Sequence, residues 1–273
     1  MGVIMNEKSD SGFLTGSAQV IARRLDEDMT RGLGKSGYSV VEKLALACRV
    51  LADEGHAHSL AGQVTVRAEP GDTFWTTNFG DGLSETTVGN LVRIDAEMRT
   101  VEGAGMPNPG VRFHLWIYGA RPEINSIVHT HAPHCSALSM VGEPLAVAHM
   151  DTMMLHEDCA WLASWPGLPV GNEEGRIISE ALGQKRCVFL AHHGLLATGK
   201  TLEEAVYLGV SMEYAARLHL LARSVGQIRP VPPHLAQGSH DFLLKKSFVN
   251  ATFNYWVRSA ARKYPEALHA GAA

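Results

Sequence analysis

The chain has 273 residues, with 24 Lys and Arg against 28 Asp and Glu, and a formal net charge of -4. That length buries a large core as one big domain or two small ones, and so mild a balance gives no basic field for nucleic acid or an anionic membrane. Cys48, Cys135, Cys159 and Cys187 stand far apart without a C-x-x-C pair, which suits reduced thiols rather than a disulfide frame or a thiolate zinc site.

The opening MGVIMNEKSDSGFL lacks the basic region and long apolar core of a signal peptide, and nowhere do 18 apolar residues run together. A soluble cytoplasmic protein is expected. Residues 1–37 read as an N-terminal extension with one helix at SAQVIARRLDEDM. From Val40, apolar Leu44, Ala47, Cys48 and Leu51 recur at helical spacing, and Gly55 supplies the stop. GQVTVRAE alternates like a strand with DTFWTTN as its hairpin partner, and LVRIDAEMRTVEG reads as a second strand pair. PNPGVRFHLWIYGARPE predicts a helix between Pro109 and Pro122. INSIVHTH predicts a short buried strand, PHCSALSMVG a short helix, and CVFLAHHGLLATG a strand leading into a glycine turn. A capping box from Thr201 to Glu204 opens a long helix that ends at Gly226. RPVPPH then reads as a linker, and HDFLLKKSFVNATFNYWVRSAARKY as one final helix. Interleaved helices and strands put the fold in the α/β or α+β class.

Fourteen histidines is a high count, but placement decides their meaning. His129 and His131 are i and i+2 at a strand end, so their imidazoles point to one side. A divalent metal accepts neutral imidazole and needs at least a third protein ligand. AHHG, at the end of a second apolar strand, offers His192 or His193, with Gly194 letting the chain turn away. A lone H-x-H is weak, and Met150, Met153 and Met154 read better as core filler than as ligands. Likewise His114 and His134 read as hydrogen-bonded or helix-surface residues. Two histidine clusters, each behind an apolar run, favour a metal site, because buried imidazoles need partners.

RFHLWIYGARPEINSIVHTHAPHCSALS, followed by LAHHGLLATGKTLEEAVYLGVSMEYAARLHLLA, resembles the class II aldolase/adducin family over roughly residues 41–222. The resemblance implies a single α/β domain, three-layered α/β/α around a mostly antiparallel sheet. It spans residues 38–226, with 227–273 a C-terminal helical arm or lid. It also implies one divalent metal (Mn2+, Zn2+ or Fe2+) on His129, His131 and His193, with His192 the fallback third ligand, and a homotetramer or larger homo-oligomer. Departures from the family pattern are equally informative. The aldolase acid/base glutamate falls at Gly110, and the serine pair before it at Asn108 and Pro109. The Gly-Asn turn of the phosphate pocket reads Gly62-Gln63, and the T-x-T-G turn reads Thr76, Thr77, Asn78, Phe79. A tyrosine lent by the next subunit falls at Met150.

A metal site without that glutamate points to a carbon-carbon lyase that decarboxylates an unphosphorylated hydroxy-aromatic or hydroxypyridine carboxylate. A Lewis acid stabilises the carbanion left behind, whereas aldol cleavage also needs a base for the hydroxyl proton. Rival readings are a mononuclear iron oxygenase on the same fold, an aldolase for unphosphorylated substrates, and a non-enzymic scaffold. His149 and His156, in AHMDTMMLHEDCAW, are the candidates for proton donor or carboxylate anchor. Trp75, Phe79 and Trp161 are candidates for an aromatic wall. Phe248, Phe253, Tyr255 and Trp256 are too many aromatics to leave in water, so the C-terminal segment is expected to cover a neighbouring subunit.

Overall fold

The computed structural model describes residues 17–69 and 71–270. The expected extension therefore lies outside the described residues up to position 16. In chain order the elements are α1 (Ala18–Leu33), α2 (Val40–Asp53), β1 (Gly62–Ala68), β2 (Thr73–Thr77), β3 (Leu91–Ile94), β4 (Thr100–Glu102), α3 (Val111–Ala120), β5 (Ser126–Thr130) and α4 (Pro133–Val141). A 3-10 turn (Met150–Leu155) leads to β6 (Cys159–Leu162), α5 (Asn172–Leu182), β7 (Cys187–Leu190), β8 (Gly194–Gly199), α6 (Leu202–Val225), α7 (Pro233–Leu243) and α8 (Lys246–Lys263).

The strands form one sheet in the order β4-β3-β2-β1-β5-β8-β7-β6. Every pairing is antiparallel except β6 with β7, which makes the sheet mixed. Alternation along each strand feeds two cores. Ile127, Val188, Leu190 and Leu196 pack with Phe113, Ile117 and Ile178 of α3 and α5. On the opposite face Val128 meets α2, α6 and α8, while Phe189 and Leu195 meet α4 and α6. The result is the expected three-layer arrangement.

Several expectations change in detail. CVFLAHHGLLATG is two strands, β7 and β8, joined through Ala191–His193, because LLAT continues the alternation that the turn interrupts. Only half of the Thr201 capping box forms. The Thr201 hydroxyl accepts from Glu204 N, but the Glu204 carboxylate accepts from Lys200 N at 2.7 Å and Arg186 Nε at 3.0 Å. The final helix is two, α7 and α8, broken at Leu244 and Lys245. It also covers its own chain: Phe253 is fully buried, Phe248 and Trp256 pack on the core, and only Tyr255 stands out at 60% exposure. α8 lies against α1, where Asn254 Nδ2 donates to Leu33 O at 2.7 Å. No helix among the described residues is long and apolar enough to cross a membrane.

Candidate metal centre

β5 and β8 are neighbours in the sheet, and this adjacency assembles the site. His129 lies on β5 and His131 just past its end, while His193 closes the β7–β8 turn. Their ring centroids are 5.1 Å (129–131), 4.8 Å (129–193) and 4.6 Å (131–193) apart. One nitrogen from each lies within 4.8 Å of the others.

The orientation of His129 is fixed. Its ring is 2% exposed and meets the edge of Phe113 at 5.0 Å. Its Nδ1 lies 2.7 Å from Leu195 O. A carbonyl only accepts, so Nδ1 carries the proton and Nε2 keeps its lone pair for a ligand. Burial, reinforced by His193, His131 and His114, holds the His129 pKa well below the usual histidine range. Burial and then His58 lower His131, and burial and then His131 bring His193 to about 4. All three imidazoles are thus neutral near pH 7, the form that binds metal. A convergent set of three neutral histidines, one with its tautomer fixed, fits a divalent ion with positions left for substrate.

The turn decides which histidine enters. His192 has φ 56°, in the left-handed region where a β-carbon is strained. It faces solvent, while its N–H donates to Ser139 O at 3.2 Å. Gly194 does not supply the turn. A β-carbon there would sit 2.4 Å from Thr130 O and 3.1 Å from His131 Cδ2, so glycine is needed for close approach to β5.

The start of α4, which follows His131, is pinned from α6. The Glu213 carboxylate accepts from His134 N at 3.0 Å, the His134 ring at 2.6 Å and Cys135 N at 2.9 Å. It thereby caps α4 from outside. Burial would raise its pKa, but these hydrogen bonds outweigh that and hold it below the ordinary carboxylate value. Beneath the ligands, buried His56 bonds through Nδ1 to Thr130 Oγ1 at 2.7 Å, and buried His114 through Nδ1 to Thr65 Oγ1 at 2.9 Å.

The three imidazoles open into a cleft of about 310 Å³. Its other lining residues are Leu60, Ala61, Gln63, Phe79, Asn108, Pro109, Gly110, Phe113, Leu168, Pro169 and Val170. None of them carries a carboxylate, an ammonium or a guanidinium group. Asn108 is occupied locally: its Oδ1 accepts from Gly110 N and its Nδ2 donates to Leu60 O, both at 2.9 Å.

His149 and His156 do not line this cleft. His149 has a 55% exposed side chain, caps the 3-10 turn by accepting from Asp151 N, and faces a separate cavity of about 480 Å³ shared with His219 and Ala222. His156 ends that turn, half-buried. Among the three aromatic candidates only Phe79 reaches the cleft. Trp75 lies under Arg93, and Trp161 packs on the core. Sequence reasoning missed Phe113 and the Leu168–Val170 stretch as walls. Apolar residues set among Pro166, Gly167, Pro169 and Gly171 were the available signal for the latter.

Comparison with known proteins matches residues 42–220 to the Class II Aldolase and Adducin N-terminal domain. Decarboxylase NovR of Streptomyces niveus is 29% identical over 66% of this chain and 70% of its own. The 4-hydroxy-3-prenylphenylpyruvate oxygenase/4-hydroxy-3-prenylbenzoate synthase of Streptomyces roseochromogenus subsp. oscitans is also 29% identical, over 66% and 69%. Among solved structures, L-fuculose 1-phosphate aldolase from Glaciozyma antarctica PI12 superposes with a TM-score of 0.77 at 29% identity, covering 84% of this chain and 92% of that one. With about two thirds of its length inside the matched domain, the chain belongs to the class II aldolase and adducin family.

Proposed function

We propose that this class II aldolase-family enzyme is a metal-dependent decarboxylase of an unphosphorylated hydroxy-aromatic or hydroxypyridine carboxylate. The observation that carries the reading is the cleft lining: three neutral imidazoles beside walls without an acid/base carboxylate or a cationic phosphate anchor. His129, His131 and His193 would hold one Mn2+, Zn2+ or Fe2+ ion. When bound, such an ion supplies Lewis-acid stabilisation of negative charge on the substrate oxygen beside the bond that breaks. The chain's own contribution is the pocket. Phe79, Phe113, Leu168 and Val170 offer apolar faces to a planar ring and exclude water from it. Gly110 places no proton-transfer group opposite the histidines, so a reaction that must deprotonate a hydroxyl lacks its base. Loss of CO2 needs no such base; the carbanion that it leaves at the ring carbon takes its proton from solvent at the cleft mouth. The name of the oxygenase relative supports an aromatic acid and that of the decarboxylase supports loss of CO2, while the L-fuculose 1-phosphate aldolase of like identity is named for a sugar phosphate, so the choice rests on the lining. Exposed apolar Met140, Val141, Met150 and Trp165 support assembly as a homotetramer or larger homo-oligomer.

The test is CO2 release from dihydroxybenzoates and hydroxypyridine dicarboxylates by protein loaded with each metal, under nitrogen and under air. Equal turnover in both atmospheres is expected. Turnover that stops under nitrogen and matches oxygen uptake one for one would replace the lyase with an iron oxygenase, the second reading, favoured by the name of one relative.

A further inference from the structure

Among the described residues that wall the cleft, one buried side-chain polar atom is left without a partner. Gln63 is 5% exposed and stands directly across the β1–β5 ladder from His129. Its Oε1 makes no hydrogen bond. A buried amide oxygen without a donor is destabilising, and at the wall of a cleft the missing donor is supplied by whatever enters. The other amide, Asn108, has both ends engaged, so Gln63 is the free one.

Gly110 is what makes room for it. A β-carbon at Gly110 would lie 2.8 Å from Gln63 Nε2 and 3.2 Å from its Cδ. The Gln63 side chain and any side chain at position 110 therefore compete for one space beside the histidines. Position 110 has φ -64° and ψ -16°, which any residue adopts, so the glycine answers to space and not to backbone conformation.

We infer that Gln63 is a specificity residue, whose amide oxygen accepts a hydrogen bond from a hydroxyl or ring N–H of the substrate. This donor is separate from the groups that face the three imidazoles. An amide neither takes up nor releases a proton near neutrality, so Gln63 selects and orients without moving a proton. The substrate class narrows to aromatic acids that carry a second, protonated donor on the ring. The inference rests on the reading of the cleft as one for hydroxy-aromatic acids.

The experiment measures calorimetric binding of 2,3-dihydroxybenzoate and 2-hydroxy-3-methoxybenzoate to zinc-loaded protein, with zinc content determined in parallel. The two probes differ by one methyl group, which replaces the donor hydrogen of the 3-substituent. Wild type should prefer the dihydroxy compound by about tenfold or more, since a site built to bond a hydroxyl rejects the analogue without it. Gln63→Leu should bring the ratio to about one with zinc content unchanged. Gly110→Ala, whose β-carbon crowds the end of the Gln63 side chain and, less closely, Asn108 Oδ1, should lower the ratio as well, and it decides the matter if Gln63→Leu does not fold. An unchanged ratio in either folded variant overturns the assignment. So does a wild-type preference for the methoxy compound, or failure of both probes to bind. If no CO2 is released while the Gln63-dependent preference holds, the decarboxylase reading fails and this assignment stands.

Discussion

His129 and His131 on one side, and His149 and His156 on the other, both come from histidine-bearing stretches, with three in residues 129–134 and two in 149–156, yet they meet different fates. The first pair sits at the end of a central strand, where alternation points both rings one way, a carbonyl fixes a tautomer, and a neighbouring hairpin adds His193. The second pair brackets a short 3-10 turn, where one ring caps its own backbone and the other is half-buried. What separates them is backbone geometry and shared burial, since the residue type is the same.

The sharpest break of that contrast is ligand removal. His129→Ala, His131→Ala and His193→Ala should each weaken metal binding on the order of a hundredfold or more, because three protein ligands leave no spare. Competition with a chromogenic chelator measures it. His149→Ala and His192→Ala should leave metal affinity within a few-fold. A His192→Ala variant that sheds metal while His193→Ala keeps it would reverse the assignment made from the turn.

Next in size is the support behind the site. Glu213→Ala strips three hydrogen bonds from the start of α4. It should cost about 2–3 kcal/mol in urea unfolding, as expected for buried donors left unpaired beside a lost cap. A loss below about 0.5 kcal/mol would mean that water replaces the carboxylate without penalty.

A smaller effect comes from protons. Burial lowers His114 to about 3 and His56 to about 4, and His193 falls to about 4. Each takes up a proton more readily in the unfolded chain, so acid favours unfolding. Their contribution is complete above 6.5, the ordinary histidine value, and is lost as pH falls from there toward about 4 for His56 and His193 and about 3 for His114. Metal-free protein should therefore lose up to about 1.4 kcal/mol per pH unit for each such histidine, read as a falling urea midpoint between about pH 7 and 5. His114→Leu should flatten the slope; an unaltered slope would show that this ring does not carry it.

The smallest expected change is in turnover. Gly110→Glu should lower CO2 release several-fold, since the new carboxylate displaces Gln63 and repels an anionic substrate. A gain in turnover would return the aldolase reading.

Much of this was legible in the sequence. Period-two and helical patterns located α1 to α4, β1 to β5 and α6, and the i, i+2 histidines located two of the three clustered imidazoles. β6 and α5 were not located, and three further features were not legible. The turn between β7 and β8 interrupts an apolar run without a proline or a Gly pair, so the second strand reads as the tail of the first. Gly194 looked like a turn residue because its real partner, Thr130 O, is remote in sequence. Gln63 showed only as a departure at the Gly-Asn turn, since an orphaned amide is defined by what surrounds it.

The adjacency of β5 and β8 also has a kinetic consequence. Along the chain, His131 and His193 are separated by α4, β6, α5 and β7, so the cluster is a high-contact-order feature that cannot assemble from local structure. A nascent chain that has exposed only β5 offers two imidazoles and no third. Metal uptake during synthesis would thus report that the hairpin has docked, and chelation would speed unfolding by freeing the last strands to join.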